Sequence, residues 1–187
     1  MMDFVKCCST ISTLTPEAAD EMMGKLKFQD FKKGDLVNKQ GQICRNFFFI
    51  DKGLVKHYYH NKNRVFILRF FSENSIFTVL DSFINQTPAE FITIALEDST
   101  LTFLDYNDIE ALCRKHHSFE SFMRKYISFA AVNTLKRAKE MLEDDATERY
   151  NSFVKENNHL LQRISLGEIA SYIGISQVSL SRIRGRK

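Results

Sequence analysis

The segment Leu166-Gly-Glu-Ile-Ala-Ser-Tyr-Ile-Gly-Ile-Ser-Gln-Val-Ser-Leu-Ser-Arg-Ile-Arg-Gly-Arg-Lys187, preceded by Ser165, decides how the chain is read. Ser165 and Glu168 have capping-box spacing: the hydroxyl takes a first-turn N–H, and the glutamate returns to the N–H of the cap. Ile169, Ala170 and Ile173 then share one helical face. Ala170 is small where a crossing helix would come closest, and Gly174 stands where the turn favours positive φ. Ile175 anchors that turn, Ser176 is placed to cap a second helix, and Leu180 and Ile183 direct this helix inward. Ser176, Gln177, Val178, Ser179, Ser181, Arg182, Arg184, Arg186 and Lys187 remain for the outer side, and no Asp or Glu occurs from Gly174 onward. Such residue types read base edges and hold phosphates. The segment is expected to be a helix-turn-helix that binds double-stranded DNA. The competing reading is a pair of amphipathic helices whose basic end only complements a helix dipole.

The 187-residue chain has room for one large domain or two small ones, and 44% hydrophobic with 26% charged residues is a globular balance. A net charge of +3 does not by itself demand a nucleic-acid partner. Its distribution is more telling: Glu140, Glu143, Asp144, Asp145 and Glu148 form an acidic stretch, whereas the terminal segment is basic. Residues Met1–Cys8 lack the basic start and apolar core of a secretory leader. No apolar run is long enough for a membrane span, so a cytoplasmic protein with no membrane partner is expected. Cys7, Cys8, Cys44 and Cys113 form no C-x-x-C pair and no zinc-finger spacing with histidine. Reduced, mostly buried thiols are expected, with no metal and no cofactor.

Upstream, Thr15-Pro16-Glu17 reads as a helix start, with the helix ending near Gly24. From Lys25 to Asp105 the texture is of short β-type runs, at Leu26–Phe31, Asp35–Asn38, Phe47–Asp51, Val55–His60, Arg64–Phe71, Phe91–Ala95 and Leu101–Asp105. Glycines 34, 41 and 53 punctuate them, and Asn61-Lys62-Asn63 reads as a hairpin tip. Many short strands at this spacing suggest an antiparallel β-roll or jelly roll. Helices follow at Tyr106–His116 and then, capped by Ser118, without a break to about Leu142. On the long helix Ala131, Leu135, Ala138 and Leu142 form one apolar stripe, and Phe119, Phe122, Tyr126 and Phe129 a neighbouring one. Two stripes imply two partners, the barrel and a second copy of the helix; the competing view is one wide face buried in a monomer. Asp144–Thr147 reads as a hinge, and a C-terminal domain begins with the helix Thr147–Lys155.

The fold class is thus α+β. Residues 1–117 form a β-roll with short flanking helices, 118–145 a long dimerisation helix and hinge, and 146–187 a helix-turn-helix domain. A strand-rich barrel, one long helix and a helix-turn-helix, in that order, resemble the Crp/Fnr family of bacterial transcription regulators. The best-matched pieces are Lys33-Gly34-Asp35, Phe49-Ile50-Asp51-Lys52-Gly53, Ala146-Thr147-Glu148-Arg149-Tyr150 and the segment Ile169–Ile183. The resemblance implies a cyclic-nucleotide-binding-type sensor, a homodimer through helix 118–142, and a pseudo-palindromic operator. It leaves room for an unidentified small-molecule effector and for RNA polymerase as partners.

The departures from the family shape the expected chemistry. The family's cyclic-AMP pocket carries a Gly-Glu-Leu run and, later, Arg-Ser, whose arginine pairs with the cyclic phosphate. Here Phe77-Thr78-Val79 align with the first and Ala89-Glu90 with the second. The guanidinium is missing and a carboxylate takes a place beside it. On the long helix, Thr134 stands where the family's base-contacting threonine lies, followed by Leu135 in place of serine. Phe77, Thr78, Val79, Ala89, Glu90 and Thr134 are therefore a candidate pocket that is not expected to take cyclic AMP in the usual manner. Family members continue past the second helix into a β-hairpin wing; in this sequence the phosphate contacts fall to Arg182, Arg184, Arg186 and Lys187. An enzyme is not expected: His57 and His60 alternate to opposite faces of a strand, and no triad, phosphate loop or H-E-x-x-H is present. The alternative function is a ligand-sensing or protein-interaction module without productive DNA binding.

Overall fold

The computed structural model describes residues 2–61 and 64–185. Lys62 and Asn63 of the expected hairpin tip, and Arg186 and Lys187 of the expected phosphate contacts, lie outside the described residues. The chain forms two compact units, Met1–His57 with Phe70–Ala131, and Tyr58–Arg69 with Val132–Lys187.

Antiparallel strands make up most of the first unit, and the described residues of Tyr58–Arg69, from β4 and β5, belong to the second. All seven expected strands are present: β1 (Lys27–Phe31), β2 (Leu36–Asn38), β3 (Asn46–Lys52), β4 (Val55–Asn61), β5 (Arg64–Phe71), β7 (Ile92–Ala95) and β8 (Ser99–Asp105). A two-residue strand, β6 (Ile76–Phe77), joins them from a stretch that carries no strand pattern in the sequence. They form two four-stranded sheets, in the orders β1-β8-β3-β6 and β2-β7-β4-β5. The first is pinned by Phe48 opposite Phe103 and Phe47 opposite Leu104. Gly53 is required where the chain turns after β3: its φ is +105°, and an added Cβ would meet the backbone of Ser99 at 2.7 Å.

Helices close this roll. They are α1 (Met2–Ile11), α2 (Pro16–Lys25), α3 (Leu80–Asn85), α4 (Tyr106–Lys115) and the first part of α5 (His117–Glu143). Thr15 caps α2 as expected, and the Asp105 carboxylate caps α4. Phenylalanine dominates the core. Phe47 lies edge-on to Tyr126 at 4.7 Å and near Phe4, Phe83 and Phe122, so strand, α1, α3 and α5 meet at one ring. Glu21 accepts from Lys115 Nζ at 2.6 Å and from His116 Nε2 at 2.8 Å, which joins α2 to the α4–α5 junction. Those two donors hold its carboxyl down at about 2.

Three expectations about α5 need correction. Ser118 does not cap it; the helix begins at His117, and the Ser118 hydroxyl bonds Thr15, accepting from its N–H at 3.2 Å. Phe119, Phe122 and Tyr126 are buried as expected, but Phe129 is 59% exposed and leaves the barrel stripe. The hinge is also narrower than expected. Only Asp144 and Asp145 separate α5 from α6 (Ala146–Glu156), so Thr147 is already helical.

Candidate nucleic-acid interface

In the second unit the C-terminal segment folds as the capping residues direct. The Asp145 carboxylate accepts from Thr147 N at 2.7 Å and Glu148 N at 2.9 Å, and Glu148 returns to Asp145 N, which completes a capping box on α6. Ser165 and Glu168 repeat this on α7 (Leu166–Ile173): Glu168 N donates to Ser165 Oγ at 3.2 Å, and Ser165 N donates to Glu168 Oε2 at 2.9 Å. Gly174 comes next with φ +79°, left-handed as the turn requires. Ser176 then caps α8 (Gln177–Arg184) by accepting from Ser179 N at 3.1 Å.

Burial sorts the two helices as the sequence pattern demands. Ile169, Ala170, Ile173 and Leu180 are buried, while Ile183 is only partly so. Tyr150 and Phe153 from α6, with Leu160 and Ile164 from the connection, complete the core beneath them. Ser176, Gln177, Val178, Ser179, Ser181, Arg182 and Arg184 are all exposed. Val178 is an apolar side chain left 62% exposed on an otherwise polar helix face. Thus α8 presents an amide, hydroxyls, one aliphatic group and two guanidinium groups on the side away from its own core. Arg186 and Lys187 are outside the described residues.

Two further cations, which no sequence pattern singles out, act inside the unit. The last-turn carbonyls of α7 have no partner within the helix itself. Ala170 O accepts from Gly174 N and Ile175 N. Tyr172 O accepts from the Arg137 guanidinium of α5, and Ile173 O from Arg149 Nε at 2.9 Å. Arg137 also lies 3.9 Å over the Tyr172 ring, and its NH1 is 3.3 Å from Glu140 Oε2. Sequence periodicity gives no signal for this: an arginine among the polar residues of a long helix reads as surface.

The residues of the candidate ligand pocket are not exposed together as those of α8 are. Phe77, Thr78, Val79 and Ala89 are buried in the roll, whereas Glu90 is exposed, and Thr134 is exposed on the part of α5 that belongs to the other unit. Around Phe77 the space is taken by the protein's own rings. Phe48 stacks on it at 5.1 Å, Phe71 at 5.0 Å, and the His57 ring lies edge-on at 5.4 Å. His57 is buried; its Nδ1 is 2.7 Å from Thr93 Oγ1 and its Nε2 3.2 Å from Thr78 O. A carbonyl can only accept, so Nε2 carries the proton and Nδ1 accepts from the threonine. Thr78 Oγ1 donates to Asn46 O at 2.9 Å, and Ser82 Oγ accepts from Cys44 N at 2.9 Å. Among the described residues of the roll, no Lys or Arg is buried. Burial pushes the thiols of Cys7, Cys8 and Cys113 upward, so they stay neutral near pH 7.

Residues 28–116 match the family of the cyclic nucleotide-binding domain. Solved structures match the chain over a greater length. A transcriptional regulator of the Crp/Fnr family from Eubacterium rectale superposes with a TM-score of 0.74 at 14% identity, covering 92% of this chain and 83% of its own. FixK2 from Bradyrhizobium japonicum gives 0.73 at 14% identity, over 86% and 83%. The c-di-GMP-responsive global regulator CLP of Xanthomonas campestris gives 0.72 at 15% identity, over 92% and 91%. The chain shares the fold of these Crp/Fnr regulators, and the part of it that matches the cyclic nucleotide-binding domain lies within the roll. A search of curated proteins finds no match. No helix among the described residues is long and apolar enough to cross a membrane.

The turn at Gly174 sets how α8 is presented, and this is testable. Gly174→Ala should cost about 1–2 kcal/mol from the left-handed backbone alone. The added methyl must also displace Met141 Cε, 2.9 Å from its position. Gly174→Asn should lose less backbone energy, because asparagine tolerates this conformation. Urea unfolding followed by circular dichroism measures the loss. Equal stability of Gly174→Ala and wild type would mean the turn is not under this constraint.

Proposed function

We propose that the protein is a homodimeric, sequence-specific DNA-binding transcription regulator, acting in a bacterial cytoplasm and not an enzyme. The observation that carries the reading is the exposed row on α8, Gln177, Val178, Ser181 and Arg182, held by a capped and glycine-turned helix-turn-helix with an apolar underside. Gln177 can pair with adenine, Arg182 can fork onto guanine, and Val178 can pack on a thymine methyl. Ser176 and Ser179 at the helix start, and Arg184 with Arg186 and Lys187 at its end, would hold phosphates on either side. The functional segments are then a sensor (1–117), a dimerising helix (118–145) and a DNA-binding domain (146–187).

The dimer reading is supported by what α5 leaves in water. Leu135 is 69% exposed and Leu142 86%, with Ala131, Val132 and Ala138 also exposed. Burying each leucine would contribute about 1.5–3 kcal/mol, which favours pairing along this stripe. A two-fold dimer presents two α8 helices, which is why a pseudo-palindromic operator is the natural target. RNA polymerase is a further partner consistent with this role.

The sensor reading rests on the packed interior around Phe77. A cyclic phosphate placed there would lose its water and meet no buried cation, at a cost of several kcal/mol. A neutral or apolar effector fits this lining better, and an effector need not act at all. Should no DNA be bound, the roll would leave the protein as a ligand-sensing or protein-interaction module.

Selection of binders from a randomised duplex pool should enrich a two-fold-symmetric site. On that site Arg182→Ala should cost about 1–3 kcal/mol and relax one base position. Equal losses on the selected and on random DNA would remove Arg182 from base reading, and failure to enrich any sequence would favour the interaction module. Leu135→Asp should convert the protein to monomer in sedimentation experiments while leaving the roll folded. A persistent dimer would place the interface elsewhere. Calorimetric titration of cyclic AMP into wild type should show no micromolar binding; tight binding would overturn the packed-sensor reading.

A further inference from the structure

We propose that the β4–β5 hairpin is a second DNA-contacting element, an arm whose Arg64 takes a backbone phosphate beside the start of α8. The inference rests on the reading that α8 binds DNA, and it adds a contact that the helix-turn-helix does not itself contain. Four observations lead to it.

The hairpin residues Tyr58–Arg69 belong to the same compact unit as the helix-turn-helix. Within that unit Arg69 donates to Asn133 O on α5 at 3.3 Å, and its charge acts on the Tyr172 hydroxyl of α7. The hairpin is therefore fastened at its base. Its two strands are further tied by Tyr59 stacked on Phe66 at 5.5 Å.

Farther out, a groove of about 270 Å³ separates the hairpin from the helix-turn-helix. On one wall are Arg64 and Phe66; on the other are Ser171, the Gly174 turn and Ser176, the cap of α8. No carboxylate lines it. Arg64 is exposed, and among the described residues no acceptor or carboxylate engages its guanidinium. A cation therefore stands unneutralised at the edge of the turn from which α8 begins.

The charge of the whole stretch is one-sided. Between Asp51 and Glu73 the charged side chains are Lys52, Lys56, Lys62, Arg64 and Arg69, with no acid among them. Strands that pair only with their own sheet need no such bias, and a contact with a polyanion does.

The groove also leaves α8 usable. Gln177, Val178, Ser181 and Arg182 are not part of its lining and stay exposed. In a helix-turn-helix the start of the second helix enters the major groove, so the strand backbone passes close to the turn before it. A phosphate there meets the first N–H groups of α8, the Ser176 hydroxyl and the Arg64 guanidinium together. A hairpin that covered the reading face would restrain DNA binding; one that flanks it extends the footprint.

The test uses the full-length protein and the operator selected by wild type, with affinity measured across a series of KCl concentrations. Arg64→Ala should weaken binding to the operator and to random duplex by similar factors, and flatten the salt dependence by about one unit. Arg64→Lys should restore the slope, because a phosphate contact needs charge more than fork geometry. Arg64→Glu should lose more than Arg64→Ala. Circular dichroism checks that each variant is folded, which an exposed side chain should allow. An unchanged slope in Arg64→Ala would overturn the arm, as would tighter binding, which would make the hairpin a restraint. If Arg182→Ala loses specificity while Arg64→Ala changes nothing, the helix-turn-helix reading stands and only the arm fails. If wild type selects no sequence, both fall together.

Discussion

The guanidinium of Arg137 governs how the helix-turn-helix unit is built. Among the described residues it is the one buried side chain of the Lys, Arg, Asp and Glu types, 6% exposed. Removing such a charge from water costs several kcal/mol unless its hydrogen-bonding capacity is met. Three groups meet it here. The Tyr172 carbonyl lies at the negative end of α7, the Glu140 carboxylate stands one turn along α5, and the Tyr172 ring face lies beneath. The Tyr172 carbonyl and ring are available only while α7 is seated against the second half of α5. The penalty for separating them falls on the arginine, so the cation enforces the seat. Arg149 adds a second anchor from α6 by donating to Ile173 O at 2.9 Å and to Asp144 O. With both in place, α5, α6 and α7 share one set of polar contacts, and α8 inherits its orientation through the Gly174 turn.

The roll is specified in the opposite way, by apolar area and ring geometry. Phenylalanine supplies much of its interior, as Phe4, Phe47, Phe48, Phe49, Phe77, Phe83, Phe119 and Phe122, packed stacked, tilted or edge-on. Phe4 lies parallel to Phe49 at 5.1 Å, while Phe47 meets Tyr126 near a right angle. Such packing leaves little for a charged ligand to displace. The polar groups that do enter, His57, Thr78, Thr93, Ser82 and Cys44, bond to one another or to nearby carbonyls. A guest in this interior would have to replace those bonds one for one.

The legibility of the sequence tracks the range of the forces involved. Caps and turns are local, and Ser165, Glu168, Gly174 and Ser176 stand in the structure as their spacing indicates. The strands were equally legible from apolar runs bounded by glycines, to within a residue or two for most. Elements whose stability comes from the packed core were missed: α1, α3 and β6 are short and carry no strong signal of their own. Ser118 shows how a correct local rule can lose to tertiary structure, since its hydroxyl is taken by Thr15, distant in sequence. Phe129 shows the limit of periodicity, which marks a face without saying how far a partner extends along it. Glu90 aligns with part of a ligand-binding pair, yet its side chain is exposed. The roles of Arg137 and Arg149 were illegible because their acceptors are backbone carbonyls, which no side-chain pattern announces.

The long helix joins the two kinds of construction. From His117 to Glu143 it contains neither glycine nor proline, so nothing in its sequence provides an internal joint. Its first half is committed to the roll by Phe119, Phe122 and Tyr126, and its second half carries Arg137. The helix ends in a two-residue break at Asp144 and Asp145, itself tied by the α6 capping box and by Arg149. A break that short, with its carbonyl and carboxylate already engaged, tolerates few alternative geometries. Any change in how α6 leaves α5 would therefore have to rearrange the hydrogen bonds at 144–149. An effector that acted there would have to bias those bonds, because coupling needs an element with discrete arrangements. The uninterrupted stretch of α5, with neither glycine nor proline, offers no such joint.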